Sequence, residues 1–102
     1  MMNRRLELHQ ILMEILGTDN VYFQPPEKFK MKYPCIVYER SDYDIDHADD
    51  HPYITRKRYQ ITTIDPNPDS ELPDKIAALP SARFDRHFTT SNLNHDVFEL
   101  YF

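Results

Sequence analysis

Tyr33-Pro-Cys-Ile-Val-Tyr-Glu-Arg40 and Tyr53-Ile-Thr-Arg-Lys-Arg-Tyr-Gln-Ile-Thr-Thr-Ile-Asp65 decide the fold. Both segments are rich in β-branched and aromatic residues, which favour strands. Pro34 opens the first segment, a position where a strand tolerates the missing N–H. In the second segment the apolar residues change from one side to the other, which predicts a bulge. The sequence therefore predicts two neighbouring long strands.

The residues between these strands are strongly acidic. Ser41-Asp-Tyr-Asp-Ile-Asp-His-Ala-Asp-Asp-His51, here the acidic stretch, contains five aspartates and no lysine or arginine. We expect a long charged loop on a small sheet, and loops commonly carry recognition. The residues predicted to face a ring lumen or a subunit interface are these aspartates and the basic run that follows: Asp42, Asp44, Asp46, Asp49, Asp50, Arg56, Lys57 and Arg58.

The rest of the chain supplies two helices and two further strands. An apolar stripe at helical spacing predicts a helix over residues 4–16, with Gly17 as its left-handed C-cap. A turn rich in proline and aspartate precedes a predicted helix over residues 71–79. Alternating patterns predict strands around Phe84–Phe88 and Val97–Phe102, and Val21–Gln24 is a possible extended piece.

This order predicts the α+β class in a single domain, residues 1–102. The expected arrangement is α-β-β-α-β-β, a four-stranded, mainly antiparallel sheet with two helices packed on one face.

Charge and composition exclude several functions. A net charge of −5 argues against nonspecific nucleic-acid binding, which depends on neutralising phosphates. Alternation along a strand splits Arg56, Lys57 and Arg58 between two faces, which favours a solvated edge or a protein contact. The absence of a signal-like or membrane-length apolar run predicts no membrane contact, and the single Cys35 suits a reduced, intracellular setting.

No residue pattern predicts catalysis or a cofactor. Asp42, Asp44 and Asp46 have the spacing of the first EF-hand ligands, but His47 and Tyr53 occupy positions where that loop needs glycine and glutamate. Loose association with Mg²⁺ or Ca²⁺ stays open. The one glycine stands at a helix end, which excludes phosphate-binding and dinucleotide-binding loops. We therefore expect no enzyme, no cofactor and no specific metal site.

Three weaker patterns have ordinary structural readings. Cys35 lies within an apolar strand and is expected to be a buried thiol. His87 and His95 could approach each other across the last hairpin, where half-exposed sheet surface is the commoner outcome. An aromatic set on the last two strands, which could imitate a base-stacking sheet, is more consistent with core packing in an acidic chain: Phe84, Phe88, Phe98 and Phe102.

Nearly the whole chain resembles the tail-terminator (tail-completion) proteins of long-tailed bacteriophages. The resemblance rests on the opening amphipathic helix and on four segments: Tyr33-Pro-Cys-Ile-Val-Tyr38, Tyr59-Gln-Ile-Thr-Thr-Ile-Asp65, Asp65-Pro-Asn-Pro-Asp-Ser-Glu-Leu-Pro-Asp-Lys-Ile76 and Asn94-His-Asp-Val-Phe-Glu-Leu-Tyr-Phe102. These are strand and helix patterns without catalytic residues. Other small proteins of the phage neck share similar α+β folds.

The resemblance implies a homohexameric ring at the head-tail junction of a virion, assembled in the host cytoplasm. Such a ring ends polymerisation of the tail-tube protein and offers a docking face to the head-tail connector. DNA would pass through it without specific binding. The acidic stretch would then either line the channel, where like charge repels phosphates, or pack on a neighbour's Arg56, Lys57 and Arg58.

Two alternatives remain at this point. A head-completion or connector protein would belong to the same class of virion assembly proteins. A small metal-binding regulatory or enzymatic domain that uses the acidic stretch would belong to a different class.

Overall fold

The computed structural model describes the backbone of residues 4–26, 29–48 and 51–102, and the side chains of those residues outside 42–56. Two helices and one five-stranded sheet follow each other along the chain. Their bounds are α1 Arg4–Leu16, β1 Val21–Phe23, β2 Cys35–Ala48, β3 His51–Asp65, α2 Leu72–Ala77, β4 Arg83–Thr90 and β5 Leu93–Tyr101. The mixed α and β class is confirmed, whereas the predicted number of four strands is wrong.

The additional strand is β1, at one edge of the sheet. The strand order is β1-β2-β3-β5-β4, and β1 pairs in parallel with β2 while the other pairs are antiparallel. Val21 lies opposite Ile36, and both are buried. A segment of three residues is too short for an alternating pattern, so the sequence indicated an extended piece without predicting its pairing.

Helix α1 forms and ends where its sequence predicts. Leu8 and Leu12, one turn apart, are fully buried in the core. The helix stops because Gly17 adopts a φ of +82°, and the Gly17 N–H donates to the Met13 carbonyl at 2.8 Å. Helix α2 is shorter than predicted and covers Leu72–Ala77, after a turn in which the Ser70 hydroxyl accepts the Leu72 N–H.

Both helices pack on the same face of the sheet, as predicted. The register places the inward residues of β2, β3 and β5 side by side, with Tyr38 opposite Ile61 and Ile61 opposite Phe98. Burial of each large apolar side chain contributes about 1.5–3 kcal/mol, which makes this layer the main stabilising contact of the fold. The buried cluster comprises Leu8, Leu12, Val21, Ile36, Tyr38, Tyr59, Ile61, Ile76, Phe98 and Leu100.

Candidate functional site

The strands β2 and β3 continue well beyond the rest of the sheet. Partners from β1 reach only residues 36–38 of β2, and β5 pairs with β3 only from Arg58 onward. Among the described residues, 43–48 and 51–57 are strand partners of each other only, apart from one hydrogen bond from the Phe102 N–H to the Lys57 carbonyl, and they form a two-stranded projection that we call the arm. At about 3.3 Å per residue its strands run for roughly 20 Å. The molecule is correspondingly long, 51 Å against 25 Å in the other two directions.

The arm corrects the predicted loop. Asp42, Asp44 and Asp46 lie at alternate positions of β2, whereas Asp49 and Asp50 lie outside the described residues. An extended backbone does not wrap its ligands around one ion as an EF-hand loop does, so the partial EF-hand spacing has no structural counterpart. Among the described residues no group of three or more metal-ligating side chains comes together.

The backbone register of the arm places acidic positions of β2 opposite basic positions of β3. Asp42 lies directly opposite Arg58, and Asp44 lies opposite Arg56. Farther along the arm this matching ends, because Asp46 lies opposite the uncharged Ile54. The acidic and the basic predicted residues of β2 and β3 are thus on one hairpin, whereas one interpretation of the sequence placed them in contact between different subunits.

Two irregularities in register shape the arm. Ser41 is an extra residue between the pairs Arg40–Tyr59 and Asp42–Arg58, and its hydroxyl donates to the Arg58 carbonyl at 3.1 Å. A second shift, after Asp46, leaves Tyr53 as the extra residue on β3. The bulge at Tyr53 stands at the start of the second long segment, so the predicted bulge between the two halves of that segment is wrong, and the bulge at Ser41 marks the root of the arm. Bulges bend a strand and increase its twist, so they set the direction in which the arm leaves the sheet.

Lys57 and Arg58 point to opposite faces of the sheet, as alternation predicts. Arg58 lies on the face without helices, with its guanidinium 3.9 Å from the Glu99 carboxylate. Lys57 lies on the helix face, where it lines a cavity of about 280 Å³ at the root of the arm. The described residues around this cavity, here the basic pocket, are Arg5, Phe23, Gln24, Arg40, Lys57 and Tyr59.

The basic pocket is not evident from the sequence. Its cations come from α1, β2 and β3, and Arg5 and Arg40 are separated by 34 other residues. Neither residue belongs to the basic run that contains Lys57, so no local sequence pattern links the three cations. The only available signal was that Arg40 ends the apolar part of β2 on the same side as Tyr38.

Tyr38 fixes Arg5 at the pocket. Its buried hydroxyl accepts a hydrogen bond from the Arg5 guanidinium at 3.2 Å and lies 2.7 Å from Nδ1 of His9. The Arg5 guanidinium also stacks 4.5 Å from the centre of the Phe23 ring. A cation held over an aromatic face and tied to a buried hydroxyl has few alternative positions, so the pocket is pre-organised.

Burial also shapes the protonation of this network. Burial, and secondly the positive charge of Arg5, lower the pKa of His9. A neutral imidazole keeps one donor and one acceptor nitrogen, and Nδ1 of His9 shares a hydrogen bond with the Tyr38 hydroxyl. Burial raises the pKa of Tyr38, which keeps this hydroxyl protonated. The pocket therefore has its positive charge from arginine and lysine and not from histidine.

Cys35 and the paired histidines behave as structural residues. Cys35 is fully buried, and its burial, together with the charge of Asp65, raises its pKa to about 12. The suggestion that His87 and His95 approach each other across the last hairpin is wrong, because they are not cross-strand partners. Nδ1 of His87 lies 2.8 Å from the Asp96 carboxylate, whereas His95 stacks on Phe88 with 4.6 Å between ring centres.

The proposed aromatic set is divided by a bulge in β4. Phe84 pairs with Phe98, their rings meeting edge to face at 5.4 Å, but a shift at Asp85 follows. Phe88 then lies opposite His95, on the other face of the sheet. A continuous platform for stacked bases is therefore absent from this strand pair. Phe98 lies in the core as predicted, while Phe84 is 58% exposed.

Comparisons with known proteins leave the family unassigned. The chain matches no protein-family model, and it has no significant match among curated proteins. Within the described part of the chain, no helix has the length and apolar character needed to span a bilayer.

Proposed function

We propose that the chain is a non-enzymatic virion assembly protein that forms a ring at the head-tail junction of a long-tailed phage. The ring caps the tail tube, ends its polymerisation and receives the head-tail connector. The resemblance to tail-terminator proteins supports this proposal. The structural observation that carries it is the arm, since a projection of roughly 20 Å extends from a body about 25 Å wide.

An arm of this kind suits assembly better than catalysis on a single chain. A two-stranded hairpin on its own is at best marginally stable in water, so contact with a partner stabilises it. A ring uses heterologous interfaces, in which one patch of a chain meets a different patch on the next copy. The arm and the body supply two such different surfaces. The hexameric number and the partner at each face come from the resemblance alone.

Electron microscopy of particles from a phage with this gene disrupted tests the proposal. We expect overlong tail tubes without heads, because nothing ends tube growth or creates the end that binds the head. A plasmid copy of the gene restores normal particles, while a copy with residues 43–56 replaced by a two-residue turn does not, because the arm is missing.

Two other results would contradict the proposal. Tails of normal length beside separate DNA-filled heads would assign the chain to head completion or to the connector. Intact particles would remove it from virion assembly altogether. Titration calorimetry of the purified chain with Ca²⁺, Mg²⁺ and Zn²⁺ is then the next measurement, since tight stoichiometric binding would support the metal-binding alternative.

A further inference from the structure

Strand β4 leaves one edge of the sheet open. It is the last strand in the order β1-β2-β3-β5-β4, and among the described residues only β5 pairs with it. Its residues, Arg83–Thr90, are all exposed, so neither helix covers it. The opposite edge is shorter, because β1 spans three residues and Pro25 and Pro26 follow it closely. An open strand edge carries unpaired N–H and C=O groups to which a further strand can pair.

The geometry of the last hairpin decides which backbone groups of β4 point outward. Both residues of the loop 91–92 have positive φ, +53° and +62°. This is a type I′ turn, in which the carbonyl before the loop accepts the N–H after it, so Thr90 and Leu93 form a hydrogen-bonded pair. Bonded and non-bonded pairs alternate along an antiparallel ladder. The N–H and C=O groups of His87 and Thr89 therefore point away from β5, toward the open side of the sheet.

Residues 86–90, here the β4 edge, lack the devices that usually protect an open strand. They contain no lysine and no proline, and their pairing with β5 is regular after the bulge at Asp85. The guanidinium of Arg86 lies 2.7 Å from the carboxylate of its neighbour Asp85, which balances its charge. Phe88 lies in the middle of the edge, stacked on His95 and still 39% exposed. The β4 edge is therefore apolar at its centre and suited to strand pairing.

Two β4 edges related by a two-fold axis fit each other in one register. The axis makes the strands antiparallel, and hydrogen bonding requires that the outward-pointing residues meet. Centred on Phe88, the pairing places His87 of one copy opposite Thr89 of the other, with both backbone bonds in each such pair. Arg86 then lies opposite Thr90, and the two Phe88 side chains form a non-bonded pair, the kind with the closer side chains. Centring on His87 would draw in the bulge, and centring on Thr89 would shorten the overlap.

We propose that two copies of this chain associate through their β4 edges, antiparallel and centred on Phe88, so that their two sheets continue into one. The occupant of the edge is a second copy because the edge is complementary to itself. In this register no like charges lie opposite each other, and each central aromatic ring meets an identical ring. The contact uses neither the arm nor the basic pocket. It describes the free chain and stands independently of the proposed ring.

Disulfide trapping tests this contact in solution. The single native cysteine, Cys35, is fully buried and stays unreactive in the folded chain. Phe88→Cys places two thiols across the axis at a Cα separation of about 4.5 Å, within the range that a disulfide spans. We expect a covalent dimer in mild oxidant that reduction separates. Phe84→Cys is the matched control, since Phe84 is 58% exposed but lies beyond the bulge. Random collision would link position 84 at least as readily as position 88, whereas the proposed contact links only position 88.

A proline at position 89 tests the hydrogen bonds of the contact. Proline is tolerated on an edge strand where the missing N–H faces solvent, so Thr89→Pro stays folded in thermal unfolding. Added to Phe88→Cys, it reduces the trapped dimer by about tenfold, because the two symmetric bonds from the Thr89 N–H are lost. Thr89→Val, which keeps the N–H, leaves the dimer unchanged. In the unaltered chain, amide exchange at His87 and Thr89 slows as protein concentration rises, while exchange at Phe88, already bonded to β5, does not.

Several results would overturn the inference. They are the absence of a covalent dimer of Phe88→Cys, equal trapping of Phe84→Cys, and trapping that a folded Thr89→Pro variant leaves unchanged. Protection of the outward amides that depends on adding another protein, and not on the concentration of this chain, would assign the β4 edge to a different partner. Because these measurements use purified protein, they are separate from the phage experiment. A dimer in solution beside intact particles would reject only the virion role.

Discussion

Tyr38 connects the core to the basic pocket, so removing its hydroxyl tests both. The Tyr38→Phe change keeps the ring, which contacts Phe23 with 4.9 Å between ring centres and Tyr59 with 6.1 Å. It removes one hydrogen bond from the Arg5 guanidinium and one shared with Nδ1 of His9. Packing is therefore preserved, and the hydrogen bonds alone are lost.

The expected loss follows from the type of each hydrogen bond. A neutral hydrogen bond contributes about 0.5–1.5 kcal/mol net, and one to a charged group about 1.5–3 kcal/mol. Arg5 and His9 are only partly buried and regain water when the hydroxyl is absent, which reduces the cost. We expect a decrease of about 2 kcal/mol in the free energy of unfolding. For a chain of this size the melting temperature then falls by roughly 8–16 °C.

Chemical and thermal unfolding, followed by circular dichroism, measure this decrease. Tyr22→Phe is the matched control, since the Tyr22 hydroxyl only accepts an exposed Lys32 N–H at 3.3 Å. Its removal costs less than about 0.5 kcal/mol. An equal, small effect of Tyr38→Phe and Tyr22→Phe would refute the reasoning, because it would mean that the buried hydroxyl does not hold Arg5 and His9.

Three further predictions address other parts of the structure. Gly17→Ala lowers stability by about 1 kcal/mol because alanine is strained at the positive φ of this position. A steric clash is not the cause, since no atom lies within 4 Å of an added Cβ. Gly17→Asn costs less, and equal effects of the two changes in thermal unfolding would contradict this explanation. The unfolded chain protonates His9 near pH 6.5 and the folded chain only at lower pH, so stability is lost as pH falls below 6.5. His9→Gln reduces that slope in urea titrations at several pH values, and an unchanged slope would exclude His9 as a source. Cys35, with a pKa raised to about 12, reacts with a thiol reagent at pH 8 only as fast as the chain unfolds, and labelling at the rate of a peptide thiol would contradict its burial.

Local patterns predicted the parts of the fold that depend on neighbours in sequence. Helix α1 was predictable because its apolar residues repeat at helical spacing and Gly17 follows them. The strand segments were predictable from β-branched and aromatic runs. The class of the fold and the common face of both helices follow from those elements.

The arm and the pocket were not predictable in the same way. Aspartate disfavours strands, so the acidic stretch predicted a loop. Strand pairing with β3, which is a tertiary feature, overrides that preference. The basic pocket joins Arg5, Arg40 and Lys57, which only the folded chain brings together. The bulge at Asp85 likewise depends on the pairing of β4 with β5, and it separates Phe84 from Phe88.

The location of the chain in the virion tests the central proposal most directly. Antibodies raised against the purified chain and coupled to gold can be applied to intact and partly disrupted phage particles and imaged by electron microscopy. The proposed ring predicts label at a single position, the junction between head and tail, and at one end of isolated tails. Label along the tube, at the distal tip or on the capsid, or no label on any particle, would contradict it.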